Sequence, residues 1–485
     1  MRRLISLVGL WLCFAIPSLS QVPADLPTGD RWISHLTGDL MKFWDMPSAL
    51  GDPIGAFPTD RCDDGALVDY TRSTCPEFKN NGWLYYDRQR YLVGQSRQTY
   101  AYGVAFHVTG NPKYLRYMKA GIDYIRKNAI DREHGGMYLQ QDPVTGFWGP
   151  KAEWRDPQQL GYGLLSLAFY YYLTHDPEVI DDIVSVKNYI ISQYYRSGDN
   201  AIGWLLAPDA NGNKPSDLKL VSQLDQMNTY LVLLAPILPA PYGDDFSVTA
   251  AGIVNIMRTK FYVPEQNLFF LSATTPADLD INKNPPDFGH TSKALWMIRF
   301  TGLLRGDADT VAFAEDAARR HLQRAYLADS GSWAGAALPG GANDPNKNWW
   351  VYAELDQLAG TLALSDSSQS IYLKQTWNYW FTYFVDPEFG EVWNGVTAGT
   401  NQPIKDMPKQ WPWKNGYHSM EHALVGYIVA QQMQTLPVTL YYAFTANPDP
   451  ALVRPYYYTG NLQSLERITD ASSAPIYRAQ FTDIR

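Results

Sequence analysis

Long charge runs, long apolar stretches and cysteine are all scarce in this chain, and each shortage removes a class of function. Charged residues make up 18 % of the 485 positions, the net charge is −9, and no Lys/Arg run of any length occurs. A nucleic-acid partner is therefore excluded, because phosphate neutralisation needs clustered cations. The longest apolar stretch, residues 4–16, is shorter than the ~20 residues that a membrane-spanning helix requires. Arg2 and Arg3 precede it and Ser18-Leu19-Ser20 follow it, the arrangement of a signal peptide over residues 1–20. The mature chain is expected to begin near Gln21, to be exported to the periplasm or medium, and to keep no membrane contact after cleavage. Cys13 lies inside the apolar run rather than at its end, which argues against a lipid anchor.

Two cysteines then remain, Cys62 and Cys75. An even pair in an exported chain reads as a disulfide, closing a loop of roughly 14 residues and worth on the order of 3 kcal/mol. No cluster with metal-ligand spacing and no glycine-rich nucleotide loop is visible, so neither metal nor cofactor is expected.

What the chain does have is aromatic surface and a repeat. Aromatics reach 14 %, with 16 Trp and 33 Tyr. Flat apolar faces with polar rims suit sugar rings, although any single one serves a helical core equally well. Apolar residues recur at helical spacing over 98–107, 160–173, 229–238, 292–304, 351–364 and 421–432, separated by roughly 60 to 70 residues. A second helix follows in most units, over 112–125, 177–194, 244–260, 307–324 and 368–384. Asn111-Pro112 and Asp176-Pro177 stop one helix and cap the next. A helix near 32–44 has no inner partner before it and is expected to pair with the last inner helix. Six hairpins then close an all-α (α/α)6 toroid over residues 21–436. The remaining 437–485, with Thr439 to Phe444 and Tyr456-Tyr457-Tyr458, reads as a short strand-containing extension packed on the barrel. Parallel inner helices would bring their N-terminal ends to one mouth, where free N–H groups and the helix dipole favour negative charge.

Several separated pieces occur in a telling order: Gly55-Ala56-Phe57-Pro58-Thr59 with Asp63-Asp64-Gly65, then Gln95 to Tyr100, then Asn228-Thr229-Tyr230-Leu231. Gly289-His290, Trp349 to Glu354, and Trp413-Lys414 through Tyr417-His418 complete the series. On these the chain resembles the N-acylglucosamine 2-epimerase and cellobiose 2-epimerase superfamily over roughly residues 30–435. The resemblance implies an (α/α)6 barrel and cofactor-independent 2-epimerisation or aldose–ketose isomerisation of a mono-, di- or oligosaccharide. It implies His290 and His418 as the acid/base pair and Arg97 beside the carbonyl oxygen. It further implies Asn228, Tyr230, Lys293, Trp350, Glu354, Lys414, Tyr417 and Glu421 as substrate contacts. Histidine suits the task because its ordinary pKa lets it both remove and return a proton near neutrality.

The sequence also departs from the family text. Lys293 stands where the family commonly has Glu, one turn from His290. There it either tunes His290 and holds an oxyanion, or pairs with a nearby acid. Val232 and Ala235 replace a His and a Glu of the epimerases, which alters the sugar. His418, Glu421 and His422 spell an inverted zinc-protease motif, for which a further ligand helix is not apparent. His107, His134 and His175 read as surface residues at helix ends or in loops. Two rivals remain. A polysaccharide hydrolase or lyase would draw a carboxylate pair from Asp225, Asp287, Glu354, Asp356 and Glu421. A non-catalytic sugar-binding protein would need neither histidine.

Overall fold

The computed structural model describes residues 25–70, 75–79, 88–470 and 473–485; the signal-peptide expectation lies outside them. Six inner helices form a ring: α2 (Leu92–Thr109), α4 (Pro157–Thr174), α6 (220–234), α8 (Phe288–Arg305), α10 (Trp349–Ala363) and α12 (Gly416–Met433). Six outer helices back them: α1 (29–44), α3 (Pro112–Asn128), α5 (Ile180–Tyr194), α7 (242–261), α9 (Ala308–Ala325) and α11 (373–384). Each inner helix packs on the next, and α12 packs on both α2 and α1. The first helix of the barrel thus closes the ring against the last.

Composition separates the two layers. α4 is buried along nearly its whole length, from Leu160 to Thr174, because outer helices, inner neighbours and the barrel interior cover every side. α3 buries only a stripe, Tyr114, Met118, Ile122 and Ile125, and leaves its lysines and arginines outside. The expected caps form: Asn111 and Asp176 accept from Lys113 N and Glu178 N, each ahead of a proline at the first helical position.

The extension is a three-stranded antiparallel sheet, β1 (Val438–Tyr442), β2 (Asn461–Arg467) and β3 (Tyr477–Thr482), in the order β1-β3-β2. It is bound to the C-terminal end of α4, where Ala443 N and Thr445 N donate to the carbonyls of Leu173 and Thr174. His107 is buried there rather than exposed as the sequence reading had it. Its Nδ1 lies 2.8 Å from Tyr441 O and its Nε2 3.1 Å from the Tyr172 hydroxyl. That contact comes from far along the chain, so local sequence carries no sign of it. His175 is likewise half-buried against Tyr171 and Phe444, whereas His134 is exposed beside Asp131. Residues 455–458 enter the barrel through the ring of inner-helix C-termini and set Tyr456, Tyr457 and Tyr458 in its interior. Cys62 and Cys75 are bonded, with Cα atoms 5.4 Å apart.

Candidate active site

The inner helices deliver polar side chains from their first two turns to a cavity of about 180 Å3, lined by Arg97, Tyr162, Asp225, His290, Lys293 and His418 with Gln158 and three tryptophans, Trp349, Trp350 and Trp413. Asp287 is the N-cap of α8. One of its oxygens accepts from His290 N at 2.8 Å, and the other lies 2.7 Å from His290 Nδ1. A single carboxylate therefore starts the helix and fixes the ring, leaving Nε2 for the cavity. Burial alone would raise the Asp287 carboxyl, but the hydrogen bonds and charge of His290, with Lys293 beyond, hold it below its ordinary range. Gly289 lets Trp350 lie flat on this turn, since a Cβ there would come within 2.4 Å of the indole.

His418 approaches from α12. Its ring is buried and tilted against Trp350 at 5.8 Å, and the His290 ring meets the same indole at 4.7 Å. His418 Nδ1 lies 3.1 Å from Glu354 Oε1. Burial, then the charges of Lys293 and Arg97, push His418 well below its usual pKa, so it is neutral at pH 7. Burial likewise pushes Glu354 up to about 8 and Glu421 up to about 7.

The two cations meet at Tyr162. Arg97 stacks 3.9 Å over its ring and donates to Trp413 O at 2.8 Å, with Nε left unpaired. Lys293 Nζ lies 3.3 Å from the Tyr162 hydroxyl and 3.4 Å from Asp225 Oδ1. Burial opposes the Lys293 charge, yet Tyr162 and Asp225 more than offset it and hold the ammonium above its ordinary pKa. Of the two roles open to Lys293 in the sequence, the pairing with an acid is the one the geometry displays.

Among the expected site residues, Arg97, His290, Lys293, Trp350 and His418 converge on the cavity. Glu354, Glu421, Tyr417 and Asn228 form the layer beneath it, with the Asn228 carboxamide 3.2 Å from the Tyr417 hydroxyl. Two lie elsewhere. Lys414 is fully buried and paired with Glu391 at 3.0 Å. Tyr230 faces α7, packed on Phe246, with its hydroxyl 3.0 Å from Gln226 Oε1. A helix turns a residue only two positions from Asn228 away from the centre, which a motif read as a block hides. His422 also points outward, between Trp32 and Trp380 and 3.1 Å from Asp356, so the two histidines of the zinc-protease motif do not converge. Of the five carboxylates considered for glycoside cleavage, Asp225 alone lines this cavity among the described residues. Tyr162 and Gln158 escaped the sequence reading, because they sit in an otherwise apolar helix without a recognisable neighbour pattern.

Comparison with known proteins agrees with the ring of helices. The model of the N-acylglucosamine 2-epimerase family matches residues 74–149. A cellobiose 2-epimerase of Ruminococcus albus is 24 % identical over 351 residues, spanning 68 % of this chain and 85 % of the relative. The solved cellobiose 2-epimerase of Bacillus thermoamylovorans B4167 superposes with a TM-score of 0.67 at 18 % identity, over 83 % of this chain and 99 % of that one. A D-mannose isomerase superposes with a TM-score of 0.66 at 15 % identity, over 84 % and 99 %. Nearly all of each solved relative is matched, and this chain carries further residues. By the matched segment of its sequence and by its six-hairpin ring, the chain is similar to proteins of the N-acylglucosamine 2-epimerase and cellobiose 2-epimerase superfamily.

Proposed function

We propose that the protein is a carbohydrate 2-epimerase or aldose–ketose isomerase that needs no cofactor. The observation that carries this reading is the pair His290 and His418, on α8 and α12, both bordering one cavity and both against Trp350. His418, neutral and backed by Glu354, takes the hydrogen beside the carbonyl of an open-chain sugar. The electron pair moves to the carbonyl oxygen, where Arg97 stabilises the enediolate. His290, oriented by Asp287, serves the opposite face and returns a proton there, giving the epimer; return to the neighbouring carbon gives the ketose. The tryptophans supply ring-sized apolar faces. A hydrolase is less well supported, because no second carboxylate among the described residues faces Asp225 across the cavity. Export through a signal peptide over residues 1–20 belongs to the same proposal, and sequencing of the mature N terminus tests it.

The test of the chemistry is incubation with aldoses, ketoses and disaccharides in heavy water, followed by NMR. Deuterium should enter at C1 or C2 and should fail to do so in His290→Ala and in His418→Ala. Glycosidic cleavage without exchange would replace the proposal with the hydrolase reading, and full turnover in both variants would remove the mechanism.

A further inference from the structure

The extension beyond the barrel reaches, at Tyr456, into the same network as His418. Tyr456 donates its hydroxyl to Glu421 Oε1 at 2.5 Å and lies 2.9 Å from the Tyr100 hydroxyl. Glu421 is one turn beyond His418 on α12, and polar atoms of Glu354, His418 and Glu421 all lie within 4.8 Å of one another. The backbone at Tyr456 has φ of 61°, a left-handed conformation that a bulky side chain holds only when its surroundings enforce it. The enforcing contacts are Tyr456 N donating to the Tyr172 hydroxyl at 2.7 Å and that hydroxyl donating to Arg454 O at 2.6 Å. Tyr457 and Tyr458 fill space beside it and hydrogen-bond elsewhere, to Asn228 O and Thr361 Oγ1.

We infer that Tyr456 is a positioning residue of the active site: from the extension it holds Glu421 and, through Glu421 and Glu354, governs the proton affinity of His418. The inference rests on His418 being the acid/base group proposed above. Charged and titratable groups face Glu421 from every side: Glu354 from α10, Lys293 from α8, Arg97 and Tyr100 from α2, Tyr417 and His418 from its own helix, and Tyr456 and Tyr457 from the extension. Of these, Tyr456 contributes the hydrogen bond that most favours the ionised carboxylate and so works against burial.

Tyr456→Phe removes only that hydroxyl, and two measurements on the full chain read the result. Infrared titration of buried carboxyl groups, with no sugar present, should show the titration that Glu421→Gln abolishes moving to higher pH. The pH profile of sugar proton exchange should lose several-fold in kcat on its acidic limb, with KM unchanged and activity recovering toward alkaline pH. Tyr458→Phe should move neither. Tyr100→Phe, which removes the other partner of the Tyr456 hydroxyl, should shift the same titration by less, and it keeps the test available if Tyr456→Phe does not fold. An unmoved carboxyl titration, or an equal loss of kcat at every pH, overturns the inference. If the wild type exchanges no sugar proton, the epimerase reading fails by itself, and the infrared titration still decides the role of Tyr456.

Discussion

Asp287 joins two tasks in one carboxylate, and substitution separates them. Asparagine also caps helices well, whereas alanine costs about 1 kcal/mol at such a position. Asp287→Asn should therefore melt close to the wild type and Asp287→Ala about 1 °C lower, while both lose proton exchange by roughly 100-fold because the His290 ring is no longer held by a charge. Exchange surviving in Asp287→Asn would mean the cap, not the ring, is what matters. Lys414 offers the converse case. Breaking its buried pair with Glu391 by Lys414→Met should cost about 3–5 kcal/mol and leave KM of the folded fraction unchanged. A raised KM with normal stability would return Lys414 to the sugar site. At this scale the sequence was legible where a residue opens a helix. His290 three places after a capping Asp is such a case. It was not legible where direction decides, as on the helix at Tyr230 and in the loop before α12 at Lys414, because the motif letters carry no direction.

The helices themselves are set by how near they approach one another. Gly426 on α12 meets α1 so closely that a Cβ would lie 2.4 Å from the Trp32 indole. Trp32 cannot yield, being fully buried and edge-on to Trp377 at 5.1 Å. Gly426→Ala should cost about 1–3 kcal/mol. Gly252 is exposed on α7, and a Cβ added there would meet nothing within 4 Å. Its replacement by alanine should gain about 1 kcal/mol. Urea unfolding of both variants checks the pair, and equal midpoints would contradict the account of the α1–α12 contact. The ring of helices and the caps at Asn111 and Asp176 could be read from period, Asn/Asp-Pro turns and the need to close a ring, although the third inner helix starts at 220 rather than 229. The insertion of 455–458 could not, since three tyrosines in a row announce burial without saying beneath what.

Over the whole molecule, buried ionisable groups set a narrow range of best stability. Asp63, Glu354 and Glu421 are pushed up to about 7, 8 and 7, each chiefly by burial. Folded, they bind protons that the unfolded chain has already released, so their contribution is present at low pH and is lost as the pH rises through about 7 to 8. His107, His175 and His321 are pushed down by burial to about 3, 4 and 4. Below about 6.5 the unfolded chain takes up protons there that the folded one refuses, so stability falls toward acid. The two sets oppose one another between about 4.5 and 6.5, and above that only the acids act. Thermal melts should show Tm declining from about pH 6.5 to about pH 8, less steeply in Glu354→Gln; a rise over that interval would refute the burial account. The ring closure described above also bears on time. Trp32, Leu36 and Leu40 on α1 are covered only once α12 exists to pack on them. At a synthesis rate of ~5–20 residues per second, that seam stays open for roughly tens of seconds after α1 has been made. A barrel whose first helix waits for its last remains threadable until synthesis is nearly done, which is the state in which a chain can still be passed through a narrow pore.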